Sequence, residues 1–137
     1  MSWVANMMIS VALPDQGLLP ALSDWLHRDA PWNAHSGRVD LKGVGNLTDQ
    51  MSSGLSTWGG TKRPECSVWA GVLNHADLPA ILARIESMPW EAPGAVQVLL
   101  LDQEETYFRL WMIREGHMTQ FSPVPPPEPD GSQPWAY

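Results

Sequence analysis

"AVQVLLLDQEETYFRLWMIR", residues 95–114, decides the fold. Residues 95–101 are nearly all apolar, as expected of a strand buried in the middle of a sheet. Residues 102–105, "DQEE", are polar and place a turn, and residues 106–114 resume a strand-like run. The stretch predicts a β-hairpin whose first strand is central, so the remaining strands must come from upstream.

Working back from residue 95, Pro89 ends a segment in which Leu78, Ile81, Leu82, Ile85 and Met88 recur at helical spacing behind Asp77, a capping residue. Before it, "CSVWAGVLN" (66–74) predicts a strand. At the other end of the chain, residues 3–13 form an apolar run of strand length stopped by Pro14 and Asp15. Leu18, Leu22, Trp25 and Leu26 then share one helical stripe, with Asp15 positioned as its N-cap and Pro20 near its start. Residues 36–45 alternate Val39 and Leu41 with Arg38, Asp40 and Lys42, the pattern of a half-solvated edge strand. In residues 46–58, Leu47, Met51, Leu55 and Trp58 hint at a helix behind Asn46, but Gly54 and several Ser and Thr weaken it. "WGGTKRPEC" (58–66) reads as a turn with solvated Lys62 and Arg63, because no helix follows its Gly-Gly pair as phosphate binding would require.

The order strand, helix, strand, possible helix, strand, helix, strand, strand predicts an α+β protein. The expected architecture is a ferredoxin-like two-layer sandwich, βαββαβ plus an extra C-terminal strand, with both helices on one sheet face. A small α/β sandwich of different strand order is the alternative. Residues 1–121 form the expected single domain and residues 122–137, rich in proline, an extended C-terminal arm.

The chain has 137 residues and a formal charge of −7, which disfavours nucleic acid as a partner. Its N-terminal residues carry neither a signal-peptide pattern nor a membrane span, and its single cysteine fits a reducing compartment, so a cytoplasmic location is expected. Eight tryptophans are more than one small core comfortably hides.

The chemical motifs are thin. Cys66 alternates with Val68, Ala70 and Val72 and reads as a small core residue, while His75 lies roughly 30 Å away along an extended chain. Asp24, His27 and Asp29 read as a solvated helix face rather than a metal site, and the carboxylates of residues 102–105 as a wet turn. No catalytic residue, cofactor or metal is assigned.

The surface carries more. If Phe108, Leu110 and Met112 face the helices, alternation sends Tyr107, Arg109, Trp111 and Ile113 to the open side. Cys66, Val68, Ala70 and Val72 inward likewise put Trp69 outward. Val96, Val98 and Leu100 inward leave Gln97 and Leu99 outward, and Ile9 and Val11 inward leave Met8 and Ser10 outward. An open face centred on an arginine between aromatic rings is similar, at the level of fold, to the RNA-recognition motif. The chain has neither that motif's "GFGFV"-like segment nor a basic stripe, so RNA binding is not implied.

The expected function is a small acidic cytoplasmic protein-binding module, an immunity-type inhibitor or an accessory subunit. It would contact another protein, or itself as a homodimer, through the aromatic open face or the C-terminal arm. The partner-binding residues are Trp69, Tyr107, Arg109, Trp111, Trp135 and Tyr137. An alternative is a dimeric ferredoxin-like ligand-binding protein or enzyme that encloses a cavity between two sheets, with Arg109, Tyr107, Asn6 and Ser10 as its polar groups. A subunit of a larger assembly would use the same surface.

Overall fold

A computed structural model describes residues 3–38, 40–51 and 64–121. The chain is an α+β protein with a six-stranded antiparallel sheet and two α-helices. Strand β1 (Val4–Ala12) leads through a 3₁₀ turn at Leu13–Leu18 into α1 (Leu19–Arg28). After β2 (Thr48–Asp49) and β3 (Cys66–Asn74), α2 (Leu78–Ser87) returns the chain to β4 (Gln97–Asp102), β5 (Arg109–Arg114) and β6 (His117–Phe121). The sheet order is β2-β3-β1-β4-β5-β6, with β1 between β3 and β4.

The core lies on one side of this sheet. Ala5, Met7, Ile9 and Val11 of β1 are buried and alternate with half-buried neighbours, so one face of the strand packs and the other does not. Against the packed face lie Leu19, Leu22 and Leu26 of α1 and Ile81, Leu82 and Ile85 of α2, joined by Val96, Val98 and Leu100. The predicted cap of α2 is present: Asp77 Oδ1 accepts the Ala80 N–H at 3.1 Å. Asp15 does not cap α1. It is buried and accepts the N–H groups of Glu91 (2.7 Å, Oδ1) and Ala92 (2.9 Å, Oδ2), tying the first helical connection to the segment that follows α2.

The described residues of 36–45 form no strand beyond a single bridge of Lys42 with Pro31. Asn33 caps a 3₁₀ turn at Ala34–Ser36 that ends on Gly37, and Gly43 and Gly45 adopt φ of 94° and 148°. The segment acts as a strap: Gly43 and Val44 donate their N–H groups to the carbonyls of Ala30 and Leu26, and Val44 accepts the Asn74 N–H. Ser23 Oγ fixes the strap further, donating to the Leu47 carbonyl and accepting the Leu47 N–H. It crosses β3 so closely that a Cβ on Gly71 would stand 2.1 Å from the Asn46 oxygen. Among the described residues, strand pairing on this side of β3 is made by Thr48 and Asp49, which pair with Ala70 and Trp69 in place of the start of a helix. Val39, residues 52–63 with most of the "WGGTKRPEC" turn, and the arm 122–137 lie outside the described residues.

At the opposite edge the sheet has a strand more than expected. Glu115 (φ 53°) and Gly116 (φ 78°) form a tight two-residue turn that folds β6 onto β5, pairing Arg114 with His117 and Leu110 with Phe121.

Candidate functional site

Strand register fixes which side chains share the unpacked face. Met8 pairs with Ala70 and with Leu99, Leu99 with Leu110, and Leu110 with Phe121. Paired residues of antiparallel strands point to the same face, so these five side chains make an unbroken apolar row across β3, β1, β4, β5 and β6. Val68 and Val72 of β3, Val4 of β1, Leu101 of β4 and Met112 of β5 extend it. Val72 is 58% exposed and Phe121 42% exposed, which marks the ends of the patch as open. Both helices pack on the other side.

This face is mainly aliphatic, with the ring of Phe121 at its β6 edge. For β1 and β4 the structure keeps the expected phase, with Met8, Ser10, Gln97 and Leu99 on the open side. For β3 and β5 the phase is the reverse of the expectation. Ile9 pairs with Trp69 and Val98 with Trp111, so both tryptophans turn toward the helices and pack against the core. Cys66, Val68, Ala70 and Val72 face out instead, as do Leu110 and Met112. The cause on β3 is the strap, which needs the small Gly71 on the side that it crosses. On β5, Ile113 fills a core position and holds Trp111 and Arg109 to the same side.

Three further tryptophans are absorbed in the same way, while Trp3 stays exposed and Trp58 and Trp135 lie outside the described residues. Trp25 and Trp32 pack on the core and Trp90 is buried within it, its indole N–H donating to the Ile85 carbonyl at 2.7 Å. Trp32 donates to the Gly43 carbonyl and stacks on His75 with ring centroids 4.3 Å apart. The indole N–H of Trp69 is buried with no hydrogen-bond partner among the described residues. Of the expected partner-binding residues, Trp69 and Trp111 are therefore core-packing groups and Tyr107 sits in the bend before β5. Trp135 and Tyr137 lie outside the described residues.

Arg109 faces the helix side and approaches Glu105 with Nε 3.1 Å from Oε1 and Nη2 3.3 Å from Oε2. The Nε–H is not aligned as a hydrogen bond, and with both side chains partly solvated the pair is weak. Arg109 and Trp111 line a groove of about 560 Å³ between α2 and the outer strands, with Leu82, Leu100 and Met118 at its base.

The structure does not bring Cys66 and His75 together. Cys66 is half-buried on the open face at the start of β3, and His75 follows the other end of that strand. Asp24, His27 and Asp29 are exposed, and no group of three or more metal-ligating side chains is present among the described residues. Asp102 serves structure: its Oδ1 accepts the Trp3 indole N–H at 2.5 Å and the Gln103 N–H at 2.9 Å. Sequence reasoning assigns Ala70 and Leu110 to the opposite face and passes over Phe121, for which one signal is available. The Glu-Gly pair at 115–116 announces a two-residue turn, which fixes the pairing of β5 with β6 and adds Phe121 to the face.

No protein-family model, no curated protein and no solved structure matches this chain.

Proposed function

We propose that this protein is a non-catalytic binding module that docks another protein, or a second copy of itself, on the open face of its sheet. The observation that carries this reading is the unbroken row Ala70, Met8, Leu99, Leu110 and Phe121, which no described helix covers. Contiguous apolar surface of this kind marks contact sites on soluble proteins. Charge supports it as well. The chain is strongly acidic, yet no strand residue on this face is Asp or Glu, so a partner can bury it without stranding a carboxylate. Five strand spacings by six residues give a face of roughly 24 Å by 20 Å, smaller than the roughly 800 Å² per partner of a standard interface. The contact is therefore a weak or regulated one, as suits an inhibitor or an accessory subunit working in the cytoplasm.

Under this proposal β2 is a shortened second strand, and the inner strands β4-β1-β3-β2 with two helices on one face follow the ferredoxin-like plan, which the β5–β6 hairpin extends. The alternative, a ligand enclosed between two open sheets, draws support from Asn6 and Ser10 on that face. It loses Arg109, which faces the helices, and Tyr107, which precedes β5.

A photo-crosslinking residue at position 99, compared in cells with one at exposed Asp24 on α1, tests the proposal. A discrete crosslinked product at 99 that is absent at 24, containing either a second protein or a second copy, is the expected result. Products at 99 that match those at 24, or a crosslink from 99 only into residues 122–137 of the same chain, would refute it.

A further inference from the structure

The helix-covered side carries a second surface of opposite character. Because α2 does not cover all of β5 and β6, the groove of about 560 Å³ runs along its flank. A second depression of about 920 Å³ shares Leu78, Pro79 and Asp102 with it, so the two meet at the N-terminal end of α2. Leu82, Leu100, Trp111 and Met118 give the groove an apolar base. Its rim is acidic. Asp77, Glu86, Asp102 and Glu105 line the two depressions, against Arg109, which Glu105 already pairs, and His35 and His75 in the second depression only.

Three of these carboxylates are fixed in position by backbone or indole N–H groups. Glu86 Oε2 accepts the Met118 N–H at 2.6 Å, Asp77 Oδ1 caps α2, and Asp102 Oδ1 holds Trp3 and Gln103. The rim is thus held in place rather than being a set of mobile surface side chains. This placement contrasts with the open sheet face, on which no strand residue is Asp or Glu.

We propose that the groove beside α2 receives a basic peptide segment of a partner protein, with apolar side chains on the Leu82–Trp111–Met118 base and Lys or Arg side chains against Glu86 and Asp102. Charge complementarity selects this occupant: a cationic segment is drawn to the rim, and an acidic one is repelled. The chain's own residues 122–137 fail the same criterion, since they contain Glu128 and Asp130 and no Lys or Arg. At about 560 Å³ the groove lies within the usual range of ligand sites, which suits a short segment rather than a folded domain.

The probe is a fluorescent six-residue peptide alternating lysine and leucine, with a glutamate-leucine peptide of the same length as its counterpart. Binding to the full chain is read by fluorescence anisotropy at low salt and located by amide chemical-shift changes in NMR. The expected result is binding of the basic peptide alone, with shifts confined to α2, β5 and β6. The isosteric pair Glu86→Gln and Asp102→Asn, which retains the N–H acceptors, should weaken it about tenfold. Asp24→Asn with Asp29→Asn, at exposed positions on and just after α1, removes the same charge elsewhere and should leave affinity within about twofold.

Equal weakening by both pairs would reduce the effect to overall charge and overturn the proposal. So would shifts centred on Met8 and Leu99, or the same groove shifts produced by the free diamine putrescine at equal concentration, which would make this a small-cation site. Because crosslinking at residue 99 reads the other face of the sheet, failure here leaves the open-face reading untouched, and the reverse also holds.

Discussion

Replacing Asp15 by alanine removes a carboxylate that holds two backbone N–H groups from a segment 76 residues away. The aspartate is only 3% exposed, while the N–H groups that it accepts belong to an exposed Glu91 and a half-buried Ala92. A hydrogen bond to a charged group contributes roughly 1.5–3 kcal/mol, and a stranded buried donor costs about 1–3 kcal/mol. Partial water access to Glu91 and Ala92 lowers the sum, so Asp15→Ala should cost about 2–4 kcal/mol, a large share of the roughly 5–15 kcal/mol that stabilises a domain. Asp15→Asn keeps one acceptor oxygen and presents an NH₂ to the second N–H, so about half of that loss is expected. Urea unfolding is the assay, followed by tryptophan fluorescence, since buried Trp90 is adjacent to this clasp. An unchanged slope with midpoints ordered wild type, Asn, Ala is the expected result. A loss below about 0.5 kcal/mol for Asp15→Ala, or an Asn variant no more stable than Ala, would show that the clasp contributes nothing to stability.

Gly71→Ala drives a Cβ into the Asn46 carbonyl and should destabilise the fold by about 1–3 kcal/mol, with faster amide exchange at Asn74 as the strap lifts from β3; unchanged stability and exchange would place the strap elsewhere. Asp77→Ala removes the α2 cap and should cost about 1 kcal/mol in thermal or urea unfolding, while Asp77→Asn should cost only a fraction of that. Leu99→Gln, in the centre of the open row, should alter urea stability little and weaken association through that face about 30-fold or more, as loss of a hot-spot residue does; an association unchanged by the substitution counts against the row as the contact.

The elements that could be read from sequence are those whose two faces differ in polarity. In β1, Asn6 and Ser10 share a face with Met8 and leave Met7, Ile9 and Val11 as the only uniformly apolar set, so its phase was legible. In β5 the two alternating sets are Leu110 with Met112 and Trp111 with Ile113; both are apolar, and nothing local separates them. In β3 the uniformly apolar set Val68, Ala70 and Val72 lost the core side to Ser67, Trp69, Gly71 and Leu73, because a strap from residues 43–47 needed room at Gly71. That demand comes from a segment more than 20 residues away in sequence and leaves no mark on periodicity. The α+β class and the cap of α2 follow from local pattern, whereas the reach of Asp15 and the groove beside α2 arise only when distant elements meet. The outward-facing apolar surface was expected, and its residues were assigned correctly only on β1 and β4.

The central position of β1 also sets the order in which the molecule can be built. Its partners begin at Cys66 and Gln97, so β1 leaves the ribosome long before either can pair with it. Until then a strand bearing Met7, Ile9 and Val11 on one side and Met8 on the other stays unsatisfied on both edges. The β4–β5–β6 meander, by contrast, can zip up from local contacts alone. Assembly of the sheet must therefore wait on long-range closure, the slow regime for folding, and the nascent chain needs protection from aggregation during that interval.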